Sequence, residues 1–227
     1  MTPRSIMIFA AGRGTRMGAL TRDRPKPLIE VSGKALIDHA LDLTEGRSLR
    51  RVVNIHHFGD MLRRHLEGRS VVISDEGAAL LETGGGLRKA LPLLGEGPVL
   101  TLNSDAVWSG PNPIDTLSGA WDPARMDALL LLVRPEDAVG HQGRGDFVRA
   151  PDGRLNRGPG LVYSGAQIVD PDLLGTIPEA AFSLNRLWDL HLQRGQLHGV
   201  VHDGRWCDVG HPDGIPLAET LLKKPHV

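Results

Sequence analysis

The sequence has one cysteine, Cys207, in 227 residues. No intramolecular disulfide can form, and a reducing compartment is expected. No stretch approaches the ~18 consecutive apolar residues of a membrane span. The apolar run in MTPRSIMIFAAG is too short for a signal peptide. Net charge is −1, so the broad basic field of a nonspecific nucleic-acid binder is missing. The expectation is a cytoplasmic protein with neither a membrane nor a nucleic acid as partner, in which any anion site has to be local.

Two common phosphate-binding signatures are also absent. The only Gly-Lys is Gly33-Lys34, followed by Ala35, which excludes a P-loop. Gly12, Gly14 and Gly18 miss the spacing of the dinucleotide fingerprint by one residue, and Asn54 and His56 stand where its acid would end the second strand. His56 and His57 have no cysteine nearby, and neighbours on a strand face opposite ways, so they do not read as a zinc site.

What is present is an alternation of short buried-type strands and amphipathic helices. IMIFA (6–10), VVNI (52–55), SVVIS (70–74), PVLTLN (98–103) and ALLLLV (128–133) are apolar runs without alternation, as in strands covered on both faces. ALIDHALDL (35–43) and GDMLRRHL (59–66) carry apolar residues at helical spacing. The order is βαβαβ, an α/β fold. Residues 143–169 predict a hairpin around a Pro-Asp-Gly turn followed by a strand, and 183–195 predict a helix with Ser183 as its cap. LHGVVHDGRWCDVG (197–210) reads as two strands around Asp-Gly. The length suits one domain over residues 1–227, with an insertion at about 140–170 lining a pocket.

The chemistry concentrates in AAGRGTRMGALTRDRPKPL (10–28). Glycines directly after a buried strand let backbone amides approach an anion, and Arg13, Arg16 and Lys26 add local positive charge. Asp105 closes the apolar strand VLTLNSD, at the sheet edge where open α/β folds bind ligands. Asp208 follows a strand late in the chain, and two such carboxylates suit Mg²⁺, which prefers one or two together with phosphate oxygens. The three glycines of LETGGGL (81–87) precede a short helix candidate, LRKAL, and offer backbone to a flat base.

GRGTRM (12–17) with PKPL (25–28) resembles the paired signature of the sugar-1-phosphate nucleotidyltransferases, close to G-x-G-T-R-[ML] and P-K-P-[ML]. WCDVGHP, LETGGGL, YSGAQI and SLNR resemble later motifs of that family. The resemblance implies a three-layer αβα, Rossmann-like (GT-A-like), mostly parallel mixed sheet, the nucleotide-diphospho-sugar transferase fold. It also implies an enzyme joining a nucleoside triphosphate to a sugar 1-phosphate with Mg²⁺, as a monomer or homodimer. Carried over residue by residue, Ala10, Ala11, Gly12, Gly14, Thr15 and Arg16 would bind the nucleotide, the glycine loop wrapping its phosphates, while Glu82, Thr83, Gly84 and Gly85, assisted by Ala10, would hold the base. Arg16, Lys26 and Asp105 would be catalytic, Asp105 and Asp208 would hold the metal, and Asn103, Gly165 and Asn185 would meet the sugar. RLNRGPG, with Arg157, stands where the family often has a Glu-Lys pair, and Ser183-Leu184 where an acid often precedes the asparagine. No hexapeptide-repeat stretch follows, unlike in the bifunctional uridylyltransferase/acetyltransferases. Within the family the resemblance is to the branch that uses UTP and N-acetylmuramate 1-phosphate in cell-wall recycling. Mannose-1-phosphate guanylyltransferases and a non-catalytic nucleotide-sensing relative are the alternatives.

Overall fold

The computed structural model describes residues 1–223. Its centre is a seven-stranded sheet: β1 (Ser5–Phe9), β2 (Arg50–Ile55), β3 (Val72–Asp75), β4 (Val99–Asn103), β5 (Ala128–Val133), β6 (Val162–Val169) and β7 (Leu197–Val201), in the order β7-β5-β6-β4-β1-β2-β3. All pairings are parallel except those of β6, which runs antiparallel to β4 and β5. All six residues of β5 are buried, as expected of a strand covered on both faces.

Period-two alternation divides each strand between two cores. Ile6, Ile8, Leu129 and Leu131 face α1 (Leu36–Asp42), α2 (Gly59–His65) and α4 (Pro113–Ala120). Met7, Leu130 and Leu132 face α3 (Glu82–Leu94) and α5 (Asn185–Gln193). This three-layer arrangement agrees with the fold that the resemblance implied. A smaller sheet joins Ala106–Trp108, Trp206–Asp208 and Ala138–Val139, and α6 (Gly214–Lys223) packs Ala218 and Leu221 onto it.

Three local expectations change. The helix after Leu81 begins at Glu82, so the three glycines lie inside its first turns instead of preceding it. Ser183 stands before the cap position, which Leu184 occupies, yet its hydroxyl still accepts the N–H of Asn185 at 3.3 Å. The strands 197–201 and 206–208 do not pair with each other, because the first joins β5 in the main sheet and the second joins Ala106–Trp108.

Candidate active site

β1 delivers the glycine loop to the carboxyl edge of the sheet. Ala10 and Ala11 are buried, and the Ala10 N–H donates to Asn54 Oδ1 at 2.7 Å. Gly14 has φ +64°, and a Cβ there would sit 2.8 Å from Lys26 Cβ and 3.0 Å from Thr21 Cγ2. Only glycine allows both the turn and the approach of the Pro-Lys-Pro segment. Gly12 has open space around it and lines a cavity, while Thr15 and Arg16 are exposed.

Lys26 is 8% exposed, and its Nζ donates to Asp105 Oδ2 at 2.7 Å. Asp105 lies just beyond β4, where the Ser104 hydroxyl donates to the Phe9 carbonyl at 2.6 Å and locks this corner to β1. Asp208 is opposite Ala106 in the small sheet, and the Val209 N–H donates to the Asp105 carbonyl at 2.8 Å. The two aspartates are thus neighbours across a strand pair, although 103 positions separate 105 from 208. Burial first, and the Asp105 charge second, push Asp208 above the ordinary carboxylate range; Lys26, Arg16 and His211 pull the other way. Two repelling hard-oxygen carboxylates with cations close by form a donor set that fits Mg²⁺. Among the described residues no group of three or more His, Cys, Asp and Glu side chains could complete a metal shell from protein alone. Mg²⁺ suits such a pair, since it keeps waters and substrate phosphates in its shell.

Two cavities adjoin this corner. The first is lined by Gly12, Asn54, Glu76, Leu80, Glu82 and Thr83, among others. A buried strut stiffens it: Asn54 Nδ2 donates to Glu76 Oε1 at 2.6 Å, and Glu76 Oε2 accepts the Leu81 N–H at 2.8 Å. With the Ala10 bond, this strut ties the glycine loop to the start of α3. Glu82 adopts φ +59°, an uncommon conformation for a residue with a Cβ. Glu82 and Thr83 line the cavity. Gly84 and Gly85 sit behind them, buried, with their N–H groups donated to the Phe182 carbonyl at 2.8 and 3.1 Å. The glycines thus seat the helix, with both amides committed to Phe182.

The second cavity is lined by Asp146, Phe147, Arg157, Tyr163, Asn185 and Trp188, and shares Thr83 and Asn103 with the first. Asn103 is placed by Gly165, which has φ +84° at an irregularity in β6; a Cβ there would lie 2.7 Å from Asn103 Nδ2. Gly165 thus supports the wall through Asn103. Asn185 Oδ1 accepts from Arg157 Nη1 at 2.9 Å. The hairpin Phe147–Arg149/Leu155–Arg157 contributes Phe147 and Arg157 to this wall. Sequence reasoning assigned no site role to Asn54, Glu76, Asp146, Tyr163 or Trp188. Tyr163 left a signal as the first residue of YSGAQI, and Trp188 as part of the apolar stripe of α5.

Residues 6–147 match the MobA-like NTP transferase domain family. The chain is 42% identical to the N-acetylmuramate alpha-1-phosphate uridylyltransferase of Caulobacter vibrioides, over 97% of each chain. It is 34% identical to the protein of the same name from Neisseria meningitidis serogroup B, over 95% of this chain and 96% of that one. Among solved structures, the inositol-1-phosphate CTP transferase from T. maritima superposes with a TM-score of 0.78 at 14% identity, covering 100% of this chain and 99% of that one. HddC from Yersinia pseudotuberculosis, solved with GMP-PN, gives a TM-score of 0.74 at 20% identity, over 98% and 100%. With a glycine loop, a buried lysine and two adjacent aspartates at one sheet edge, the chain belongs to the MobA-like NTP transferase family, as a nucleotidyltransferase of the sugar-1-phosphate type.

Proposed function

We propose that this chain transfers a uridylyl group from UTP to N-acetylmuramate 1-phosphate, with Mg²⁺, giving the UDP-sugar and pyrophosphate in the cytoplasm. The observation that carries the reading is the meeting of Lys26, Asp105 and Asp208 beside two cavities that share Thr83 and Asn103. The substrate pair follows from likeness to the two uridylyltransferases over nearly the whole chain.

In this reading the nucleotide lies in the first cavity with its phosphates along Gly12–Arg16, and the sugar phosphate lies in the second. An oxygen of the sugar phosphate attacks the α-phosphorus. A new P–O bond forms as the bond from that phosphorus to the bridging oxygen breaks, and pyrophosphate departs with the electron pair toward Arg16. The attacking oxygen is already anionic, so no general base is required. Lys26 Nζ adds positive charge at the reacting phosphoryl group, and the glycine loop orients it. Mg²⁺, held by Asp105 and Asp208, would supply further charge neutralisation when bound. Positioning and electrostatics are the main contributions to phosphoryl transfer, and these residues are of the kinds that supply them.

The test is pyrophosphate release from four nucleoside triphosphates against N-acetylmuramate, N-acetylglucosamine and mannose 1-phosphates, with and without Mg²⁺. The expected maximum is UTP with N-acetylmuramate 1-phosphate. A maximum at GTP with mannose 1-phosphate, or no release in any combination, overturns the assignment.

A further inference from the structure

We propose that Arg157 makes the second cavity a reader of acidic sugars, pairing with a carboxylate on the sugar ring that is separate from the 1-phosphate. This rests on the proposed function, because N-acetylmuramate differs from N-acetylglucosamine by a lactyl ether ending in such a carboxylate.

The cavity wall supplies sugar-type packing through Phe147, Tyr163 and Trp188. Arg157 is the only cation among its lining residues. Its guanidinium stacks 5.0 Å from the centroid of the Phe147 ring and 5.7 Å from that of Trp188. It is pinned by Asn185 Oδ1 at 2.9 Å, the Asn185 carbonyl at 3.5 Å and Asp189 Oδ1 at 2.8 Å. A guanidinium has five N–H donors in a fixed fork, and these partners do not exhaust them. A planar cation held this way is pre-organised for a second carboxylate.

The pairing with Asp189 does not cancel this role. The Arg157 and Asp189 side chains are 40% and 52% exposed, and a pair so open to solvent is strongly screened. The other charged residue lining the cavity, Asp146, already accepts the Tyr163 N–H at 2.8 Å. It repels an incoming carboxylate and leaves Arg157 as the end of the cavity where one can settle. An acid-bearing sugar thus has one favoured orientation, whereas a neutral one leaves the cation without its ligand.

The experiment compares kcat/KM with UTP for three acceptors: N-acetylmuramate 1-phosphate, its lactyl methyl ester and N-acetylglucosamine 1-phosphate. In the wild type the acid should exceed the ester and the neutral sugar. Arg157→Gln should cut the acid-to-neutral ratio by about 10- to 100-fold, the range of a charge-assisted hydrogen bond, mainly through KM. Arg157→Lys should keep part of the preference. An unchanged ratio in Arg157→Gln overturns the assignment, as does equal turnover of acid and ester by the wild type, a result that needs no variant. Wild-type turnover of the neutral sugar without the acid would overturn the proposed function as well, which separates the two failures.

Discussion

The proposed phosphate-binding loop and the proposed acceptor cavity are built in different ways. The proposed phosphate-binding part is mostly local in sequence: Ala10 to Lys26 form one continuous stretch after β1, joined by Asp105 after β4 and Asp208 from the small sheet, whereas the first cavity beside it also draws on Asn54, Glu76, Leu80, Glu82 and Thr83. The acceptor half gathers Asn103, Asp146, Arg157, Tyr163 and Trp188 from five separate segments. The family match ends at residue 147, just where the hairpin opens onto that second cavity. In the proposed reading, phosphate chemistry rests mainly on one loop, while sugar choice rests on side chains gathered from distant segments.

The sharpest test of the nucleotide half is Asp105→Ala. Turnover should fall by about 10³-fold or more, read as pyrophosphate release. The variant should also lose on the order of 2 kcal/mol of stability in urea, because Lys26 would remain buried without its carboxylate. Full activity with normal stability would remove Asp105 from the site.

Glu76→Ala ranks second. It strands the Asn54 amide and the Leu81 N–H in a buried place, at a cost of about 1–3 kcal/mol. KM for the nucleotide should rise more than KM for the sugar phosphate. Equal rises would mean the strut supports both cavities alike.

Gly165→Ala probes the acceptor half. Its φ of +84° and the 2.7 Å approach to Asn103 predict a loss of about 1–3 kcal/mol. KM should rise for the sugar phosphate with little change for the nucleotide, and the reverse pattern would break the division between the halves.

The smallest effect lies away from both cavities. Burial lowers the pKa of His191 below its ordinary 6.5, against the opposing pull of Asp127 and Asp170. The unfolded chain then binds a proton at higher pH than the folded one. Stability is intact above about 6.5 and declines as pH falls below it. His191→Gln should flatten this part of the Tm-versus-pH curve; a curve identical to wild type would show that His191 does not contribute.

The same contrast explains what was legible in the sequence. Buried strands announce themselves by composition, and GRGTRM with PKPL is a contiguous signal, so the sheet and the phosphate loop could be read directly. Asp105 and Asp208 could be brought together only through the family resemblance, since their proximity is set by the pairing of 106–108 with 206–208. The pairing of Asn54 with Glu76 was invisible, because a buried polar pair is defined by its partner across space. Gly84 and Gly85 were visible, but their packing against Phe182 and Ala180 was not. Glycine marks a close approach of backbone, and sequence does not say whether a ligand or the protein makes it.

At 84 to 86 it is the protein. A methyl group on Gly84 would meet the Phe182 ring at 2.4 Å, one on Gly85 the Ala180 carbonyl oxygen at 2.4 Å, and one on Gly86 Glu76 Oε1 at 2.7 Å. The three form a dovetail joint on which α3 is hung. A saturation mutagenesis screen would mark them as intolerant, and that intolerance would report joinery. If the first cavity takes the base as proposed, attempts to retune base preference have their freedom one step earlier, at Leu80, Glu82 and Thr83.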